Sequence, residues 1–181
     1  MQCPWTSCSL PTLSRKDRRD ARVRPPDHVQ DRPVYRADGV ARRKSLSGPH
    51  VGWGAARLVD GLLREGARGR MTASCSRNLA AYHGLLACML RALERSGDEK
   101  SVVFELSSSL IVRQMQPFGV GKYACRSPAL QPVFLRCVSA SHRLDNVGVT
   151  WEIRHIYGEY NREAAALAKQ ALAQGARAWQ S

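Results

Sequence analysis

The stretch "HIYGEYNREAAALAKQAL", His155–Leu172, carries the pattern on which the fold is read. Its second half reads as the start of a helix. Asn161 suits the N-cap, Glu163 suits the positive first turn, and Leu167, Ala168, Ala171 and Leu172 form an apolar stripe at helical spacing. Between cap and stripe stand only methyl groups, Ala164, Ala165 and Ala166. Just upstream, "VTWEIRHIYG" (149–158) reads as a strand.

Working back from that strand–helix pair, the chain alternates between the two periods. "SPALQPVFLRCVSASHRLDNVG" (127–148) is read as a helix with Ser127 as N-cap and Pro128 at the first helical position. "SLIVRQM" (109–115) is a short helix followed by the loop "QPFGVGKYACR" (116–126). In "KSVVFELSS" (100–108), Val102, Phe104 and Leu106 face one way and Val103, Glu105 and Ser107 the other, as in a strand. "RNLAAYHGLLACMLRALERSG" (77–97) repeats Leu79, Tyr82, Leu86, Met89 and Leu93 at helical spacing and is expected to end at Gly97. Before it, "VYRADG" (34–39), "VGWGAARLVDG" (51–61) and "LLREGARGRM" (62–71) read as three short strands, two of them closed by an Asp-Gly turn signal. The order predicts an α/β domain: a mixed five-stranded sheet, three antiparallel strands then crossover strands, flanked by helices.

Composition sets the outer bounds. The chain has 181 residues, enough for one domain with a core, and 44% of them are hydrophobic. Residues 1–33 mix charges with proline and show no periodicity, so a basic, disordered tail is expected there, a domain over 34–175, and a C-terminal tail over 176–181. No stretch approaches the ~18 apolar residues of a membrane span, and "MQCPWTSCSLPTL" (1–13) is too broken for a signal peptide. The expectation is an intracellular protein, in cytoplasm or nucleus, with no membrane partner. Six cysteines lack metal-site spacing and are read as reduced, packed thiols. A net charge of +13 favours polyanions, nucleic acid first among them.

Five fragments, in order, resemble the type 1 ribonuclease H domain, particularly the versions carried by retroelements. "ADG" with "GWGAARL" is similar to the first hairpin of that family, and "NLAAYHGLLACMLRAL" to its N-x-A-E-[YF]-x-A-L helix. "SSSLIVRQM" is similar to D-S-x-L-V-V-x-Q, and "YACRSPALQP" fits the loop and helix that follow. "HIYGEYNREAAALAKQAL" is similar to H-V-x-R-E-x-N-x-x-A-D-x-L-A-x-x-A-L. The resemblance implies a ribonuclease H-like fold and Mg²⁺-dependent hydrolysis of RNA–DNA hybrids. In such a site four carboxylates would hold two Mg²⁺ ions about 4 Å apart.

Position by position, the resemblance matches Asp38 to the first acidic site and His155 to a histidine that assists turnover. It puts Ala81, Ser107 and Ala165 where the other three acids are expected. Asp38 alone is insufficient to anchor the metal, so Mg²⁺ is expected not to be retained and the domain to be a folded pseudoenzyme. Glu105 and Glu163, each two residues from a vacant position, are read as a half-exposed strand residue and a first-turn helix residue that do not rescue the site. Asn78, Asn161, Arg113, Lys122 and Arg126, with Arg42, Arg43 and Lys44, are the candidates for contacting nucleic acid. The partner expected is an RNA–DNA hybrid or other duplex, bound by a monomer with no small-molecule cofactor. The alternatives are an active hybrid endoribonuclease with an atypical site, or a non-enzymatic protein-interaction module on the same fold.

Overall fold

The computed structural model describes residues 32–42, 50–72, 76–116, 118–119, 123–174 and 177–180. Nearly all of the expected N-terminal tail, together with Arg43, Lys44 and Lys122, lies outside the described residues, as does the side chain of Arg42.

The meander forms as the alternation predicts. Strands β1 (Val34–Arg42), β2 (His50–Val59) and β3 (Leu62–Thr72) pair antiparallel in sequence order. Asp60 and Gly61 make the β2–β3 turn, with φ of 53° and 73°, the left-handed pair that a two-residue hairpin needs. The earlier Asp-Gly does something else. Asp38 and Gly39 stay inside β1, paired with Gly54 and Trp53. Glycine is there for space: a Cβ on Gly39 would lie 2.5 Å from the backbone of both Ala81 and Arg77. The missing side chain lets a helix approach the strand.

That helix is α1 (Arg77–Glu94), capped by Ser76, whose hydroxyl accepts from the Leu79 N–H at 3.1 Å. It ends three residues before Gly97, with Arg95 as C-cap. Its buried face, with Tyr82, Leu85 and Met89, meets Tyr35, Phe104 and Leu106 of the sheet to form the main core. Strand β4 (Ser101–Leu106) pairs parallel with β1, and β5 (Thr150–His155) parallel with β4. Helix α2 (Ser109–Met115) is capped by Ser108. Helix α3 (Gln131–Asn146) packs its Val133, Cys137 and Ala140 into the main core.

Helix α3 begins later than the Ser127–Pro128 reading predicts. Residues 128–130 are a turn, whose Leu130 and Gln131 amides both return to the Ser127 carbonyl. Pro132 explains the shift. It is accommodated at the helix start, whereas four residues into a helix begun at 128 it would clash with the carbonyl below.

Helix α4 (Arg162–Gln174) covers the opposite face and lies against β2. Ala164, Ala168 and Ala171 are fully buried there, and Ala164 joins Ala56 and Leu58 in a second apolar cluster. The sheet then gains a strand that periodicity did not predict. Residues Arg177–Gln180 (β6), expected as tail, pair antiparallel with β3, giving six strands in the order β5-β4-β1-β2-β3-β6. Trp179 secures this edge, edge-on to Tyr35 at 6.3 Å between ring centroids.

Candidate functional site

The site is set by where two parallel strands part. The β1–β4 ladder runs as far as Ala37 opposite Leu106. The next residues, Asp38 and Ser107, stand at the C-terminal end of that pairing, the place where open α/β sheets leave a crevice. The N-terminal ends of α1 and α4 reach the same place. Gly39 admits the first turns of α1, and the Asn161 amide nitrogen donates to the Ala37 carbonyl at 2.9 Å.

Asp38 is only 4% exposed, and its Oδ1 is fully engaged by this chain. It accepts from the Gly39 N–H at 2.9 Å, from the Ser107 hydroxyl at 2.8 Å and from Arg77 Nη2 at 3.3 Å. Arg77 also donates from Nε to the Gly39 carbonyl at 2.8 Å. These donors compensate a carboxylate that burial would otherwise penalise. Arg77 was not among the residues picked from the sequence. A signal for it existed: an arginine opening a helix opposes the positive helix end, and such a placement calls for an anionic partner.

The other predicted residues divide by position. Ala81 is buried on α1 above Gly39. Ala165 is half-buried in the first turn of α4, its N–H bonded to the Asn161 carbonyl at 3.0 Å. Asn78 accepts at 3.4 Å from the hydroxyl of Ser108, the residue after Ser107. Asn161 is fully buried, but its side chain does not cap α4 as predicted. The amide nitrogen is spent on β1, and Oδ1 has no partner among the described residues. His155 closes β5, paired with Leu106, and is exposed beside Tyr157 at 5.7 Å. Arg113 is exposed, donates to the Tyr123 hydroxyl and lies over its ring at 5.0 Å. Arg126 is exposed in the segment ahead of α3.

Glu105 differs from its half-exposed reading: it is buried, 6% exposed, because Arg36 covers it. Arg36 Nε donates to Glu105 at 2.9 Å and Nη1 to Glu163 at 2.8 Å, so one guanidinium joins β1, β4 and α4. Burial alone would lower the Arg36 pKa. The hydrogen bonds and charges of the two glutamates outweigh it and hold the pKa above its ordinary value. Both glutamates near the vacant positions are thus committed to Arg36.

A pair of Mg²⁺ ions does not fit the residues present. The ions want several anionic oxygens, and Ala81 and Ala165 offer methyl groups while Asp38 Oδ1 is already held by three donors. Among the described residues, no three His, Cys, Asp or Glu side chains converge as a metal site. No described helix is long and apolar enough to cross a membrane.

No protein-family model matches the sequence, and no curated protein matches it. Solved structures do match. Ribonuclease H1 from the halophilic archaeon Halobacterium salinarum is 21% identical with a TM-score of 0.62, across 80% of this chain and 99% of that one. LC11-RNase H1, solved in complex with an RNA/DNA hybrid, is 24% identical with a TM-score of 0.57, across 78% of this chain and 99% of that one. The foamy viral protease-reverse transcriptase, also solved with an RNA/DNA hybrid, is 14% identical with a TM-score of 0.62; the match covers 93% of this chain and 23% of the viral one. With the sheet order, the crossover helices and these matches together, the described part of the chain has the ribonuclease H-like fold.

Proposed function

We propose that this domain binds RNA–DNA hybrid, or a related duplex, without cleaving it. One observation carries the reading: where the resemblance places four acids, this chain has Asp38 with Ala81, Ser107 and Ala165, and Asp38 is held by Arg77 and Ser107. Two-metal phosphodiester hydrolysis needs ligands that clamp both the attacking and the leaving oxygen, and this set supplies one carboxylate. Binding needs less: hydrogen-bond donors along a groove and cations near phosphates. Support for binding comes from the net charge of +13, and from solved relatives with this fold that hold an RNA/DNA hybrid. Of the candidates, Asn78, Arg113, Lys122 and Arg126 are assigned to the duplex; Asn161 is left out because it is fully buried with its amide on Ala37. The likeness to retroelement domains makes a degenerate retroelement ribonuclease H the origin that fits best.

The test is hybrid binding as salt is raised, with denaturing electrophoresis of the same samples. The reading expects affinity at about 50 mM salt that falls steeply with log salt, and intact RNA. No affinity at that salt overturns the binding half and leaves the protein-interaction module. RNA cleavage absent from an Asp38→Asn control overturns the other half.

A further inference from the structure

We infer that this site takes the phosphodiester backbone directly on the Arg77 guanidinium, with no divalent cation. The inference rests on the nucleic-acid reading above and says how the site would do it.

Charge is the first argument. A site built from four carboxylates repels a phosphate until metal ions neutralise it. Here the only acid among those positions is Asp38, and Arg77 balances it at 3.3 Å. The next carboxylates along β4 and α4, Glu105 and Glu163, are neutralised separately by Arg36. Approach of an anionic backbone therefore faces no uncompensated negative charge that a metal would have to cancel.

Geometry is the second. Arg77 is pinned at one side and open at the other. Its Nε and Nη2 are anchored to Gly39 and Asp38, and its side chain is 62% exposed. Those bonds use two of the five N–H groups of a guanidinium; among the described residues, the other three have no protein partner. A planar donor held on one edge suits phosphate oxygens on the other, at little ordering cost. The positive end of α1, which Arg77 itself opens, adds to the same field. Asn78 and Ser108 lie beside it, joined at 3.4 Å, as neutral polar neighbours.

The test is fluorescence anisotropy of a labelled RNA–DNA hybrid with the full chain, at constant ionic strength, in EDTA and in Mg²⁺. The expected affinity is the same in both within about twofold. Arg77→Gln is expected to weaken binding about fivefold, with the salt slope smaller by about one. Asp38→Asn, which removes the counter-charge of Arg77, is expected to tighten it. Binding lost in EDTA and restored by Mg²⁺, or weakened by Asp38→Asn, overturns the inference, and neither arm depends on how the Arg77 variant folds. Binding that persists unchanged in a folded Arg77→Gln protein overturns the site while leaving the nucleic-acid reading intact. No binding by any form overturns both.

Discussion

Replacing Arg36 with methionine tests how this sheet holds charge at its centre. Arg36 is 21% exposed and binds Glu105, 8% exposed at the side chain, and Glu163, 30% exposed. Removing one partner of a buried pair costs about 3–5 kcal/mol, because the other charge stays buried. Two features reduce that here. Arg154 stands beside Glu105 across the β4–β5 pairing and interacts with its charge. Glu163 can turn to solvent, so its share is at the surface value, below about 1 kcal/mol. The expected cost is about 3 kcal/mol at neutral pH, or roughly 10 °C in Tm for a domain of this size. Urea unfolding followed by tryptophan fluorescence reads it directly. The double variant Arg36→Met/Glu105→Leu is expected to recover most of the loss, since apolar replacement of a buried pair is often neutral or stabilising. A loss below about 1 kcal/mol for the single variant, or no recovery in the double, refutes the claim that Arg36 is the counter-ion of Glu105.

Other outcomes follow from particular contacts. Gly39→Val drives a side chain to 2.5 Å from the Ala81 and Arg77 backbone, and is expected to cost more than about 3 kcal/mol in urea unfolding, with α1 displaced. Asn161→Asp turns a donor to Ala37 into an oxygen facing an oxygen, and is expected to destabilise more than Asn161→Ala, itself about 1–3 kcal/mol. Trp179→Ala uncovers Tyr35 and removes the ring beside Arg91, costing about 1–3 kcal/mol and freeing β6 to exchange its amides. Burial raises the Cys137 thiol to about 12 and pushes Cys88 higher still. Both should therefore resist alkylation at pH 8 until the protein unfolds, as peptide mass spectrometry would show. Because their folded pKa values exceed the unfolded one, near 8.5, that contribution to stability is complete below about pH 8 and is lost as pH rises above it.

Much of this architecture was legible because it is periodic. The Tyr82–Leu86–Met89 stripe, the alternation of Val102, Phe104 and Leu106 and the small-residue face of α4 report local geometry. What escaped the sequence is long-range. The same dipeptide makes a turn at Asp60–Gly61 and a strand interior at Asp38–Gly39, and only the approach of α1 distinguishes them. Strand β6 is four residues at a sheet edge, too short for alternation to register. Ser127–Pro128 carries a helix-start signal, but Pro132 is the proline at the start of the helix. At the site, the substituted positions Ala81, Ser107 and Ala165 are an implication of the resemblance, and the arginines that neighbour them did not follow from it. Arg36 meets partners 69 and 127 residues away, and Arg77 one 39 away. Asn161 looked like a cap because caps are local, yet its amide reaches β1 across 124 residues.

If Asp38 is spent on Arg77 and Ser107, it holds no divalent ion. Calorimetric titration of the full chain with Mn²⁺, which stands in for Mg²⁺ and binds more tightly, is the test. The expected result is no saturable site in the millimolar range, with heats indistinguishable from those of an Asp38→Asn protein. Stoichiometric Mn²⁺ binding that disappears in Asp38→Asn would contradict it.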